Sequence, residues 1–211
     1  TPLHHTLTYQ AILSDVLDYR MNRVHLKAGK QPTVYELEVD ADAFWRKTMH
    51  WPFPEAIEEH SKETEACREK EKEIKNKTGE QGDGATVSDA KSTVDVEGKG
   101  TQDLLATVDS LPLLLERKAK IEVHAKILEA AMGVLKSRDL PIFFEAEQAA
   151  LLGRPDKAMV LKLMGPESKG SLMDKLRLLS IYSLTTDPNS ATDLEQALRS
   201  SIQDQQETAS A

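Results

Sequence analysis

The sequence predicts a mainly α-helical protein in which a helical hairpin projects from a base of short helices that also carries a small β-hairpin. The aromatic residues give the first indication, because all ten lie within residues 9–53 or 143–182. The stretch between them is rich in Leu, Ala, Glu and Lys at helical spacing, which is typical of narrow helix packing rather than of a wide core. We therefore expect the centre of the chain to form the projecting part.

The composition argues against several classes of function. The chain has 211 residues, with 35 acidic and 27 basic side chains and a net charge of -8. A nucleic-acid partner is not expected, because generic binders of the phosphate backbone have the opposite balance. Direct membrane insertion is not expected either, because no apolar run of about 18 residues is present. A single cysteine, Cys67, and an opening without signal-peptide features favour a cytoplasmic protein in a reducing compartment.

Residues 1–54 are predicted to form the first part of the base. Apolar spacing predicts a helix over residues 8–18, which Asn22 ends. Residues 23–26 and 33–39 are β-prone and flank a loop rich in turn formers, which predicts a small β-hairpin. An aromatic corner, in which prolines prevent one continuous helix, is expected at the foot of the projection. Its residues are Phe44, Trp45, Trp51, Pro52, Phe53 and Pro54.

Residues 55–138 are predicted to form the helical hairpin. Its first helix, over residues 55–77, is dominated by Glu and Lys and has only a thin apolar stripe. Residues 78–100 hold five of the ten glycines together with several acidic side chains, which predicts a flexible acidic loop. The residues that mark this loop are Gly79, Asp83, Gly84, Asp89, Asp95 and Gly100.

The second helix of the hairpin carries apolar side chains at helical spacing on both sides of Pro112. Val108, Leu111 and Leu114 follow in two steps of three, a phase slip that coincides with the proline, so we expect a kink or a break there. The first helix has few apolar residues to match this stripe. Residues 111–115 are therefore expected to remain partly exposed as an interaction site. The alternative is that the stripe only closes the hairpin from within.

Residues 139–211 are predicted to complete the base with four short helices separated by Gly and Pro. The last residues have no apolar anchor, so we expect residues 203–211 to fray. The predicted helices cover residues 143–152, 156–164, 173–186 and 192–203.

No catalytic motif, metal site or cofactor is predicted. A nucleophile needs a nearby base and a third group that orients this base, and no local signature supplies the combination. His4 and His5 are adjacent and would diverge on a helix, so surface or capping roles are favoured over metal binding. His124 flanks the apolar stripe, where packing is favoured over a switch. Residues 79–84 contain acids that would repel phosphate, so this glycine cluster is interpreted as a linker.

Three motifs resemble the SM proteins, the Sec/Munc-type chaperones of SNARE assembly. Residues 5–18, HTLTYQAILSDVLD, are similar to the family segment HTWTYQALVHDVLD. Residues 110–118, SLPLLLERK, resemble SLPELLEKK, and residues 174–182, DKLRLLSIY, resemble DKMRL followed by IYY. The FFE sequence at residues 143–145 resembles FEYEE of the Sly-type branch, which acts between endoplasmic reticulum and Golgi. The resemblance covers nearly the whole chain.

The resemblance implies a fragment of an arch-shaped SM protein, its third domain, with residues 55–138 as the hairpin. It further implies binding of syntaxin-type Qa-SNARE helices, pairing with R-SNARE helices on the hairpin, contact with the assembled SNARE complex, and peripheral association with membranes through SNAREs. The family's pocket for the syntaxin N-terminal peptide lies in another domain. Pro112 corresponds to the hinge proline, and the loop at residues 78–100 to a lid over the SNARE-binding surface.

We expect the stripe of the second helix to accept one face of an R-SNARE helix, with Glu122 and Lys126 setting the register by charge. The candidate SNARE-binding residues are Leu111, Leu114, Leu115, Lys118, Ala119, Glu122 and Lys126. The fragment is expected to be monomeric. The alternatives are a coiled-coil scaffold, which should dimerise, or an SM protein of another trafficking branch. An enzyme would require chemistry assembled from scattered residues, for which the sequence offers no candidate.

Overall fold

The computed structural model describes residues 3–28, 31–79, 97–186 and 191–210, and the protein is mainly helical with one small sheet. Among the described residues no helix is long and apolar enough to cross a membrane. The elements in chain order are α1 (Tyr9–Val16), β1 (Asp18–Arg20), β2 (Arg23–Ala28), β3 (Gln31–Glu36), α2 (Ala43–Thr48), α3 (Phe53–Gly79), α4 (Glu97–Ser137), α5 (Leu140–Leu151), α6 (Lys157–Met164), α7 (Leu172–Thr185) and α8 (Thr192–Ser210).

The sheet has three strands rather than the two predicted. It is antiparallel with the order β1-β2-β3, and Arg20 pairs with Arg23 across a two-residue turn. Both turn residues have positive φ angles, 48° at Met21 and 60° at Asn22, as a tight hairpin turn with the right-handed strand twist requires. Asn22, which was predicted to end a helix, therefore forms this turn, and α1 ends earlier at Val16.

The hairpin consists of α3 and α4, which run antiparallel. Of the predicted kink or break at Pro112, the break is absent, because α4 is one continuous helix that passes through the proline, and the kink stays a prediction. Pro112 lies on the exposed side of the helix, where solvent can satisfy the carbonyl group that the ring leaves without its helical donor.

Both ends of the predicted loop at residues 78–100 lie in helices. Gly79 ends α3 and Gly100 lies inside the first turns of α4, so neither belongs to a loop. The other residues that were predicted to mark the loop, Asp83, Gly84, Asp89 and Asp95, lie outside the described residues.

All four predicted helices of the last part are confirmed as α5 to α8, with shifted ends. Ser171 and Asp174 form a reciprocal capping box at the start of α7. Gly170 lies so close to Phe143 that an added Cβ atom would come within 2.2 Å of the ring, so only glycine fits. Helix α8 extends to Ser210 and so includes most of the segment that is predicted to fray, and the fraying itself stays a prediction.

Three apolar clusters hold the described residues together. The largest packs α1, the sheet and α2 against the start of α3 and the second half of α4. A second cluster joins α5 to α8 and contains Phe143, Leu178 and Leu194. A third and much smaller cluster lies between α3 and α4, farther along the hairpin. Within the described side chains, α4 contributes Ile127, Leu128, Ala131 and Leu135 to the largest cluster and Leu114 and Ile121 to the third.

Candidate helix-binding surface of the hairpin

One face of α4 carries five of the seven predicted SNARE-binding residues, at helical steps of three and four. Their side chains are exposed, with Leu111 39% and Leu115 56% accessible to solvent. We call this set the outer face of α4: Leu111, Leu115, Ala119, Glu122 and Lys126. At about 1.5 Å per residue it is about 22 Å long, which is enough for four turns of a second helix.

Leu114, another of the predicted residues, does not belong to the outer face. It is 7% exposed and packs with Cys67 and Ile121 inside the hairpin. This finding corrects the prediction that Leu114 is available to a partner. The physical reason is that Leu113, Leu114 and Leu115 project in three directions separated by about 100° each.

Lys118, the seventh predicted residue, is engaged within the hairpin. Its Nζ atom donates to Oε1 of Glu71 on α3 over 2.6 Å, and this bond raises the pKa of Lys118 and lowers that of Glu71. One residue before it, Arg117 donates to Glu63 on α3. Both ion pairs join α4 to α3 within the hairpin.

Leu113 was missing from the predicted set although it is 71% exposed. It lines a groove of about 470 Å³ between α4, the start of α2 and α3, together with Phe44 and Ile121. The sequence signal that could have identified Leu113 was the run of three consecutive leucines, because a single partner helix cannot cover all three. The hairpin therefore offers exposed apolar surface on two neighbouring sides of α4.

At the end marked by Lys126, the outer face continues into an apolar groove. The ammonium group of Lys126 lies 6.0 Å from the ring centroid of Tyr35 on β3, at the edge of a groove of about 610 Å³. Leu26, Ala130 and Val134 form part of its walls. Among the described residues neither Glu122 nor Lys126 forms a close ion pair, although Glu122 interacts with the charge of Lys118 at longer range.

The burial of His5 contradicts the prediction that this residue has a surface or capping role. It is 4% exposed, and its Nδ1 atom lies 2.6 Å from Glu147 while its Nε2 atom lies 3.2 Å from Asp174. Arg138 also donates to Asp174, and Arg177 forms a two-point contact with Asp15. His4 is the more exposed of the two histidines and lies against Phe144. Three cations and three carboxylates thus balance in one network, which we call the six-charge network: His5, Asp15, Arg138, Glu147, Asp174 and Arg177.

Donor atoms of His5, Asp15 and Asp174 lie close enough together to suggest a metal site. The surrounding charges oppose that use, because Arg138 and Arg177 already occupy the carboxylates. Burial alone would lower the pKa of His5, but hydrogen bonds to Asp174 and Glu147 outweigh it and raise the pKa to about 9. At neutral pH both ring nitrogens therefore donate, so the ring has no lone pair for a metal. We interpret the network as an ionic tie between the first residues and helices α5 and α7.

The raised pKa of His5 makes stability depend on pH. The pKa is about 9 in the folded protein and near 6.5 in the unfolded chain, so the contribution is complete below pH 6.5 and is lost as the pH rises through 9. We expect a loss of about 3 kcal/mol in unfolding free energy over this range from His5. Urea unfolding at pH 6.5 and 9.5 measures it, and NMR titration of the imidazole should give a midpoint near 9. A midpoint near 6.5 would contradict the assignment.

His124 was predicted to pack rather than to switch, and it is fully buried on α4. The Nδ1 atom lies 2.9 Å from the hydroxyl oxygen of Tyr9, and Nε2 lies 3.0 Å from Oδ2 of Asp42. Burial would raise the pKa of Asp42, but the bonds from His124 and from the Trp45 amide lower it. The carboxylate is therefore charged and accepts the proton of Nε2, and Nδ1 makes the hydrogen bond to the Tyr9 hydroxyl group.

These features define a class of protein: a helical hairpin module, carried on a mixed base, with an exposed helix face suited to binding another helix. The model of the Sec1 family matches residues 1–209. The human protein called Sec1 family domain-containing protein 1 is 34% identical over 211 residues, which cover 93% of this chain and 32% of that protein. The Protein sly1 homolog of Drosophila virilis is 35% identical over 216 residues, covering 96% and 31%. The chain belongs to the Sec1 family, and the resemblance to SM proteins of the Sly type is confirmed.

Solved structures share the fold. Sly1p in complex with an N-terminal peptide of Sed5p is similar with a TM-score of 0.62 at 22% identity, covering 94% of this chain and 29% of that chain. The SM protein Vps45 in complex with the Qa SNARE Tlg2 (1-310) gives a TM-score of 0.63 at 19% identity, covering 95% and 34%. The chain spans about a third of the length of the relatives it matches.

Proposed function

We propose that this chain binds SNARE helices through its hairpin and regulates the assembly of SNARE complexes in vesicle transport, between endoplasmic reticulum and Golgi. The observation that carries the proposal is the outer face of α4 in a chain of the Sec1 family. Relatives of this fold have been solved in complex with a Qa SNARE and with a Sed5p peptide. The proposal assigns no catalytic role to any residue and no membrane contact except through SNAREs.

The outer face supplies both affinity and register. Leu111, Leu115 and Ala119 form an apolar strip on which the apolar side of an amphipathic helix can lie. Glu122 and Lys126 follow four residues apart, so a bound helix with the complementary order of charges is favoured over one with the reverse order. We assign the strip to an R-SNARE helix and the groove beside Leu113 to the syntaxin-type Qa-SNARE.

An aspartate at position 115 should disrupt this binding. We expect Leu115→Asp to weaken binding of an R-SNARE motif peptide at least tenfold, because a charge replaces an apolar contact at the centre of the strip. Calorimetry at physiological salt, with peptides of both SNARE classes, measures the effect. Leu151→Asp is the matched control, since Leu151 is exposed to a similar extent on α5, away from the hairpin. Equal effects of the two variants would contradict the proposed surface.

A coiled-coil scaffold that dimerises through the hairpin is the second candidate. An antiparallel pair of α4 helices centred on Ala119 would bring Glu116 of one copy opposite Glu122 of the other, which disfavours self-association. We therefore expect a monomer in sedimentation velocity at micromolar concentration. A dimer that Leu115→Asp dissociates would favour the scaffold instead.

A further inference from the structure

The line of exposed residues that forms the outer face of α4 continues beyond Lys126 to Gly133. Successive residues of a helix are rotated by about 100°, so a position seven residues after Lys126 returns to nearly the same side. Gly133 is at this position and is exposed. It faces the same direction as Leu115, which lies about 27 Å earlier along the helix axis. A partner that lies along the outer face therefore meets Gly133 next.

The packing of the described residues does not explain why position 133 is a glycine. Apart from the backbone of its own helix, a Cβ atom added to Gly133 would meet no described atom within 4 Å, and the residue has no positive φ angle. Gly170 differs in this respect, because the ring of Phe143 covers it. Glycine is a poorer helix former than any residue except proline, so an alanine would stabilise α4 at this point. What glycine provides is space for the close approach of another backbone.

An apolar groove lies beside this end of α4. It has a volume of about 610 Å³ and is bounded by α4, the sheet and the end of α1. We call it the sheet groove. Lys126 lies at its edge, as well as on the outer face. Its apolar walls are formed by Val16, Leu17, Leu26, Tyr35, Ala130 and Val134. A helix that rests on Gly133 therefore has space beside it for a large apolar side chain.

The occupant that fits both features is the helix that lies on the outer face. The outer face and the sheet groove share Lys126, and α4 is continuous from Leu111 to Gly133. Two helices that cross at a shallow angle of about 20° stay in contact over several turns. The side chains between two helices set the distance between their axes, so a bound helix comes closest to α4 where α4 has no side chain.

We propose that Gly133 is a contact point for the R-SNARE helix: this helix continues past Lys126, lies closest to α4 at Gly133 and places a large apolar side chain in the sheet groove. This inference rests on the proposed function and adds a requirement for the partner. From Leu111 to Gly133 the contact is about 33 Å long, so the partner must keep an apolar side for about six turns rather than four.

A leucine at position 133 tests the contact. We expect Gly133→Leu to weaken binding of an R-SNARE motif peptide at least tenfold, because the new side chain fills the space that the partner backbone occupies. The thermal midpoint of the chain alone should rise by about 2–4 °C, because leucine is the better helix former. Binding that is unchanged or stronger in Gly133→Leu would overturn the proposal.

Ser180→Leu is the matched control, because it adds the same side chain at an exposed position of another helix, α7. It should leave peptide binding unchanged, and an equal loss in both variants would contradict a specific role of Gly133. Sedimentation velocity of the chain alone provides a second check. If Gly133→Leu changed the association state of the chain, position 133 would be a contact between copies, and the proposal would be wrong.

Peptide length separates this inference from the proposed function. Removing about two turns from the peptide end that reaches Gly133 should weaken binding and abolish the difference between Gly133→Leu and the unchanged chain. Each end is shortened in turn, so the result also gives the direction of the bound helix. If Leu115→Asp weakens binding and Gly133→Leu does not, the helix stops before the sheet groove and only this inference fails. If neither variant weakens binding, the proposed surface itself is wrong.

Discussion

Replacing Asp174 by asparagine is expected to destabilise the protein by about 3–5 kcal/mol, because it removes one anion from a buried set of balanced charges. Asp174 is fully buried and accepts hydrogen bonds from His5, Arg138 and Ser171. An asparagine would direct amide hydrogens at groups that are themselves donors. Burial would raise the pKa of Asp174, but these bonds hold it well below its usual range, so the loss should shrink as the pH falls below 4.

Urea unfolding at pH 7 measures the Asp174→Asn effect as a lower midpoint at an unchanged slope. Asp18→Asn is the matched control, because Asp18 forms an ion pair with Arg20 in which both side chains are largely exposed. It should change stability by no more than about 0.5 kcal/mol. A similarly small change for Asp174→Asn would mean that the six-charge network contributes nothing net to the fold.

A His124→Phe variant is expected to lose about 2–4 kcal/mol, although the ring keeps its shape. Phenylalanine can still pack against Phe44 and Trp45, but it leaves one carboxylate oxygen of Asp42 and the hydroxyl group of Tyr9 buried without partners. The cost is that of desolvated polar groups rather than of lost volume. Tyr9→Phe removes only the hydroxyl group and should cost about 1 kcal/mol.

Thermal or urea unfolding of the variant checks this expectation. His25→Phe provides the comparison, because His25 is a partly exposed residue of β2. The substitution makes the same chemical change at a site without buried partners. If both variants changed the unfolding free energy equally, the bonds of His124 would contribute no more than an ordinary surface position.

The helical parts of the fold could be predicted because they depend on spacing within a single element. The hairpin and the helices α5 to α8 all carry apolar residues at helical steps, and Gly or Pro separates them. Strand β1 could not be found in this way, because three residues are too few to show an alternation and its apolar neighbours also fit a helix. Pro112 favoured a break that the continuous α4 does not show.

The surface and the buried histidines show a second limit of sequence patterns. Spacing identified the outer face of α4 but placed Leu114 with it, because a one-dimensional pattern does not say on which side the partner helix lies. His5 could not be recognised, since its two acidic partners are 142 and 169 residues away in the chain. The role of His124 likewise depends on Asp42, 82 residues earlier. These partners meet only when distant parts of the chain have folded together.

The contact between His5 and Asp174, which closes nearly the full length of the chain, has a consequence for the order of folding. Contacts that close long loops form late, because their entropic cost must be met before they contribute any stability. The contacts between α3 and α4 close shorter loops, whereas His5 must wait until α7 has been synthesised. During translation the side chain of His5 is therefore expected to stay outside the six-charge network until α5 and α7 have been synthesised, although Leu7 and Thr8 can already be held by backbone contacts with Phe53 and Pro52.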